Sequence, residues 1–275
     1  MKLTNLALRS LVALFGIPLI ILSIYFGRVY FVMIVIIINS LAQFEFYKIA
    51  EKKDALPIKT IGIGLALISS IMCYRYGIET IWILLFPGAL IILVIELFRR
   101  KRNATLNVTT TITGIIYPPL MFNFFILIRE LPLRLNLPYY HGAMWVFIVF
   151  VTIWICDTAA YFFGKGFGKH KLYVSVSPNK TVEGAVAGFI FAIITVLILR
   201  LFYHSTLSLT NYLAIGILIG IFSQIGDLVE SLFKRDAEIK DSSNILPGHG
   251  GFLDRFDSPT FVAPIMFFYL NFFVF

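Results

Sequence analysis

Apolar runs recur along this chain at 10–27, 29–47, 60–77, 80–98, 107–128, 142–163, 182–203, 211–232 and 260–275, with polar punctuation between them. Most approach the ~20 residues that a helix needs to cross a bilayer. Hydrophobic residues make up 59% of the chain and charged ones only 14%, against about 45–50% and 25% in soluble domains. The expected solvent is therefore lipid. Backbone N–H and C=O groups must be satisfied internally in hydrocarbon, so the runs are expected as helices rather than strands. The first run has no small-residue cleavage site and is expected to be a retained helix. The last is short and contains Pro264, so its crossing is the least supported. Cys73 and Cys156 lie in apolar stretches without a CxxC pair, which indicates neither a disulfide framework nor a zinc site.

The cations orient the spans. With the N-terminus in the cytoplasm, one side receives Lys2, Arg9, Lys48, Lys52, Lys53, Lys59, the RRKR cluster at 99–102, Lys165, Lys169, Lys171, Lys180, Lys234, Arg235, Lys240 and Arg255. These are eighteen cations, against five on the other side (Arg28, Arg75, Arg129, Arg134 and Arg200). Such an imbalance is what the positive-inside rule describes. The fold expected is an all-α, multi-pass integral membrane protein of about nine transmembrane helices, placed in the cytoplasmic membrane if the source is bacterial. The net charge of +8 is spread over loops instead of one face, which argues against nucleic acid as a partner. The 99–102 cluster reads as a topology anchor whose individual charges matter little.

The aspartates divide the chain differently: only Asp54 precedes residue 157, and the other six follow. Residues 1–140 thus read as scaffold and 141–275 as the catalytic region of one continuous membrane domain. The halves show no sequence repeat, which weakens an inverted-repeat transporter reading.

Two constellations carry the chemistry. In the first, at 156–185, Asp157 sits inside an apolar helix, where a carboxylate is costly and usually functional. Tyr161 follows one turn later on the same face. The GKGFGK segment that ends this helix is not a phosphate-binding P-loop, because Phe163 replaces its first glycine and His170 follows Lys169. A plain interfacial turn and an anion-binding loop both remain open. In SPNKTVEG, Ser177 or Asn179 is placed to cap the next helix, and Glu183 to close that cap. The same helix start, with Lys180 and Thr181, would also make a phosphate seat.

In the second constellation, Gln224, Asp227, Ser231 and Lys234 fall at helical spacing on one face, which Glu230 shares with Asp227. Helix–helix hydrogen bonding accounts for Gln224 and Ser231. Two carboxylates one turn apart need a cation, either a metal or a buried lysine. Downstream, Asp241, Asp254 and Asp257 with Lys240 and Arg255 add oxygen ligands of the kind magnesium takes alongside substrate phosphates. The PGHGG turn has backbone freedom for an anion nest. His249 has no partner at zinc spacing, so contact with a phosphate or carboxylate suits it better. Carboxylates, cations and glycine loops together suit phosphoryl or nucleotidyl transfer.

Residues 231–257 resemble the signature of the phosphatidate cytidylyltransferases, or CDP-diacylglycerol synthases. Ser231, Lys234, Arg235, Lys240, Asp241, Pro247, His249, Gly250, Gly251, Asp254, Arg255 and Asp257 fall at its spacing, and the upstream DTAAYFFGK and SPNKTVEG segments resemble the family too. The resemblance covers about 156–258. It implies CTP and phosphatidate as substrates, CDP-diacylglycerol and pyrophosphate as products, and magnesium, with a second cation left open. It also implies a polar, cytoplasm-facing cavity in the C-terminal half and a homodimer. On this reading Asp227, Asp254 and Asp257 hold the metal. Lys234, Arg235, Lys240 and Arg255 neutralise phosphate, with Asp241 and His249 beside them in the catalytic set. Asp157, Tyr161, Lys169, Ser177, Pro178, Lys180, Thr181, Glu183, Ser231, Gly250 and Gly251 would contact substrate. Another CTP-dependent lipid enzyme, such as a polyprenol-type kinase, and an ion or phosphate transporter are the alternatives.

Overall fold

A computed structural model describes residues 5–203, 207–246, 248 and 250–275, with side chains from residue 14 onward. The expected apolar runs fall on helices: α1 Asn5–Phe26, α2 Arg28–Glu51, α3 Lys59–Tyr76, α4 Thr80–Arg99, α5 Ala104–Ile115, α6 Met121–Arg134, α7 Tyr140–Phe167, α8 Val182–Phe202, α9 Leu209–Asp236 and α10 Leu253–Tyr269. Between α5 and α6 the chain passes through a wider turn, Ile116–Leu120. Tyr117 there is extended (φ −115°, ψ 118°) because Pro118 follows it. Among the described residues, six spans are long and apolar enough to cross a membrane: α2, α4, the joined stretch Ala104–Arg134, α7, α8 and α9. The chain is a helical membrane protein.

One feature departs from the all-α expectation. Lys171–Tyr173 (β1) and Ser177–Thr181 (β2) pair as an antiparallel hairpin, Lys171 opposite Thr181 and Tyr173 opposite Ser177. Ser177 and Asn179 are therefore strand residues and cap no helix. Thr181 takes that role: its extended backbone precedes α8, and its hydroxyl accepts from Gly184 N at 3.2 Å. Strand pairing carries the chain further in the extended state than local cap preference indicates.

The chain groups into two compact units, Met1–Leu127 with Asp236–Phe256, and Ile128–Arg235 with Asp257–Phe275. These do not follow the 140/141 division, and residues 231–257 contribute to both.

In the first unit, Ile58, Ile92, Ile115 and Leu120 form an apolar core. Asn123 Oδ1 accepts from Asn39 Nδ2 and from Ser70 Oγ, both at 2.8 Å, and Asn123 Nδ2 donates to Ser69 Oγ at 2.9 Å. Polar groups buried between helices are satisfied in this way. Tyr47 is fully buried, and its hydroxyl donates to Thr111 O at 3.0 Å. Gly62 and Gly114 leave the space its ring occupies, since a Cβ at either would overlap it. Arg99 Nη1 donates to Glu96 Oε2 at 2.6 Å and to Leu56 O at 2.9 Å. One member of the 99–102 cluster is thus built into the helix packing, contrary to the reading of that cluster as a set of dispensable charges.

In the second unit α7 and α8 pack very closely. A Cβ at Gly184 would lie 2.6 Å from Ala160 O, and one at Gly188 would lie 2.9 Å from Cys156 O. Small residues allow backbones in membrane helices this approach.

Candidate active site

The second unit gathers its charged groups around α9. Lys180, at the end of β2, reaches Asp227 on α9, with Nζ 2.6 Å from Oδ2. Ser231 Oγ donates to the other oxygen, Oδ1, at 3.3 Å. The hairpin makes the first contact: it delivers Lys180 one residue before the Thr181 cap, beside the middle of α9. One turn further along, Lys234 pairs with the buried Glu230 at 2.5 Å. Arg235 Nε donates to Val176 O at 3.2 Å. The cation that two neighbouring carboxylates require is thus supplied twice by lysine. Gln224 donates to Ala185 O and Gly220 O, a helix–helix contact.

Asp257 lies near the head of α10, ahead of the apolar run that starts at 260, and it is 9% exposed. Its Oδ1 accepts from Ser258 N at 2.6 Å. Burial holds its carboxyl well above the usual carboxylate range. The nearby Asp227 pushes the same way, as does Asp157 to a smaller degree, while Lys234 opposes them. Asp257 therefore feels two aspartates that are far from it in sequence. Asp157 itself is exposed on α7. Tyr161 is exposed too, edge-on to Phe162, with Lys165 Nζ 6.0 Å from its ring centre.

The loop before α8 is held differently from the expectation. Glu183 does not close a cap; it accepts from His170 N at 3.2 Å and lies 2.7 Å from His170 Nδ1. Val182 N donates to His170 O at 2.9 Å. Two of the first N–H groups of α8 are thereby used within the protein, which leaves Lys180 as the stronger anion-binding element there. A Cβ at Gly168 would press on Thr181, so packing accounts for that glycine. Lys169 and Pro178 are exposed, and Ser177 is half-buried.

In the first unit the glycine turn is organised by two carboxylates. Asp254 Oδ2 accepts from Gly251 N at 2.7 Å and from Ser242 N at 3.0 Å, and lies 2.9 Å from Ser242 Oγ. Gly250 takes the left-handed conformation (φ 82°), and a Cβ there would crowd Asp254. Gly251 is buried, and a Cβ there would overlap Ser242 and Glu45. Glu45, on α2, is fully buried and accepts hydrogen bonds from the same loop. It was absent from the sequence-derived set, although an acid inside the 29–47 run carried the same signal as Asp157. Lys240, Asp241 and Arg255 are exposed. Pro247 and His249 lie outside the described residues.

Among the described residues, no three His, Cys, Asp or Glu side chains are gathered closely enough to hold a metal ion by themselves. Magnesium is usually bound through one or two carboxylates completed by water and substrate phosphates. Asp227 and Asp257 suit that arrangement: both are oxygen donors of the second unit, and the charge on Asp227 opposes ionisation of Asp257.

A family model described as "Cytidylyltransferase family" matches residues 7–273. A phosphatidate cytidylyltransferase of Bacillus subtilis (strain 168) is 37% identical over 254 residues, which are 90% of this chain and 91% of the relative. One from Staphylococcus saprophyticus subsp. saprophyticus is 50% identical over 125 residues, 46% of this chain and 48% of the relative. A third, from Staphylococcus aureus (strain COL), is 36% identical over 182 residues, 66% of each.

Proposed function

The chain belongs to the cytidylyltransferase family, and on that premise we propose that it condenses CTP with phosphatidate to give CDP-diacylglycerol and pyrophosphate. The observation that carries this reading is its similarity to a phosphatidate cytidylyltransferase along 90% of this chain and 91% of that relative.

A phosphate oxygen of phosphatidate attacks the α-phosphorus of CTP. The bond from that phosphorus to the oxygen bridging it to the β-phosphate breaks, and pyrophosphate leaves with that electron pair. The nucleophile is already ionised near neutral pH, so the step needs no strong base. Cations carry the work instead, by neutralising charge on the phosphates. Lys180, just ahead of α8, has its ammonium fixed by Asp227 on α9. Lys234 is held by Glu230. Arg235, Lys240 and Arg255 are exposed and complete the proposed set of phosphate-neutralising cations.

The metal ligands proposed are Asp227, Asp254 and Asp257. Support for the first and last is that Asp227 raises the buried Asp257 carboxyl, as a neighbouring carboxylate does. Asp254 also sets the glycine turn within its own unit. When bound, magnesium supplies electrophilic stabilisation of phosphate oxygens. We further assign the side bearing eighteen of the cations to the cytoplasm. On this reading α1, α3 and α10 complete nine crossings, the substrate-binding groups face the cytoplasm, and the protein works as a homodimer.

The test is to incubate purified protein with labelled CTP, phosphatidate and magnesium and to resolve the products. CDP-diacylglycerol with equimolar pyrophosphate is expected. Release of CDP would mark a lipid kinase instead, and absence of any CTP consumption would reject nucleotidyl transfer.

A further inference from the structure

The carboxylate of Glu45 accepts four hydrogen bonds. Its Oε1 accepts from Ser243 Oγ at 2.5 Å and from Phe252 N at 3.0 Å. Its Oε2 accepts from Ser242 Oγ at 3.0 Å and from Leu253 N at 2.8 Å. The side chain is 0% exposed. All four donors lie about 200 residues downstream, at the two ends of the loop 242–253. Two of them are N–H groups where α10 begins, which no helical carbonyl can serve.

We infer that Glu45 is the positioning residue of this loop, setting Asp254 and Arg255 for the proposed transfer; the inference rests on that functional reading. The link to Asp254 is geometric. Ser242 Oγ lies 3.0 Å from Glu45 Oε2 and 2.9 Å from Asp254 Oδ2. One hydroxyl proton serves one acceptor at a time, so the two carboxylates share Ser242, whose backbone N–H also holds Asp254. Gly251 leaves the space that Glu45 fills. A shift of Glu45 therefore moves both ends of the loop and the first turn of α10.

The chemistry of the four contacts makes the role specific to a carboxylate. Each oxygen receives one backbone N–H. An amide in its place has one oxygen and one NH2, so in either orientation a donor would face a backbone donor. Aspartate is one methylene too short to span both ends of the loop. Neither conservative change keeps the set.

The experiment compares wild type, Glu45→Gln and Ser242→Ala/Ser243→Ala in purified protein, reading CDP-diacylglycerol formation and amide hydrogen exchange together. The serine pair removes the two hydroxyl contacts and leaves Glu45 in place, so it remains informative should Glu45→Gln fold poorly. For Glu45→Gln the expected outcome is kcat lowered about 100-fold, the scale of a catalytic group misplaced by roughly 1 Å. Exchange at Phe252 and Leu253 should accelerate at least tenfold, with α3 and α4 unchanged. The serine pair should give a smaller loss of kcat, with faster exchange at the same two amides. Unchanged protection at 252–253, or kcat within threefold of wild type, overturns the inference. Exchange rising throughout α2–α5 in both variants would also overturn it, because Glu45 would then support the fold at large. If wild type itself forms no CDP-diacylglycerol, the functional reading fails, while the exchange data still decide whether Glu45 holds the loop.

Discussion

Lys180 and Asp227 meet at 2.6 Å, with their side chains 27% and 35% exposed. At ~4 Å between charge centres and an effective dielectric near 20, the attraction is about 4 kcal/mol. Desolvation of both ions and partial solvent access cut the net contribution to stability to about 1 kcal/mol. Its larger consequence lies in function. Lys180→Met takes from Asp227 its ion-pair partner, and it removes an ammonium proposed to face phosphate. Loss of one such charge-stabilising group costs roughly 10²–10³ in rate. Asp227→Asn should cost at least as much, because Lys180 then loses its ion-pair partner and a proposed metal ligand is lost. If the two act as a unit, Lys180→Met/Asp227→Asn should be no more than about tenfold worse than the poorer single variant, a coupling within the 0.5–3 kcal/mol seen for contacting residues. The assay is kcat/KM for CDP-diacylglycerol formation at saturating magnesium, on protein shown to be inserted and monodisperse. A double variant whose loss equals the product of the two single losses would refute the claim that the pair acts together.

Three other outcomes follow from the packing and charge described above. Asp257→Asn should raise the magnesium concentration needed for half-maximal rate by about tenfold or more, since it removes one of two opposed carboxylate donors; an unchanged magnesium titration would take Asp257 out of the ligand set. Gly62→Ala should lower stability by about 1–3 kcal/mol through overpacking on the Tyr47 hydroxyl, and Tyr47→Phe should recover part of that loss. The same tyrosine change should not rescue Gly114→Ala, whose Cβ meets the ring itself; thermal melts in detergent read both. Arg99→Ala should destabilise the protein by about 1–3 kcal/mol, because Glu96 is 5% exposed and loses its ion-pair partner. Lys101→Ala should fall within about 0.5 kcal/mol of wild type, and equal effects from the two would return the whole cluster to a surface role.

How much could be read in advance depended on the range of the interaction. The helices were legible because hydropathy is a local property: each apolar run must satisfy its backbone internally, wherever the others lie. The family signature at 231–257 was legible because its residues sit at short, fixed spacings. Reading SPNKT as a helix start failed for the converse reason. Ser177 and Asn179 have good capping chemistry, but pairing of Ser177–Thr181 with Lys171–Tyr173 moved the cap to Thr181. That pairing also carried Lys180 to Asp227, an ion pair between residues 47 positions apart that no helical period connects.

Lipid as solvent, nine apolar runs in outline, the side rich in basic residues and the type of chemistry are properties of residues near one another along the chain. Which charges are spent on one another is not. Asp254 was assigned to the metal by resemblance and is found tying the glycine turn through Ser242 and Gly251. Glu45, not singled out in the sequence, is found holding the loop about 200 residues away. A buried charge must find partners wherever the chain brings them, and only packing of the helices decides which donors those are.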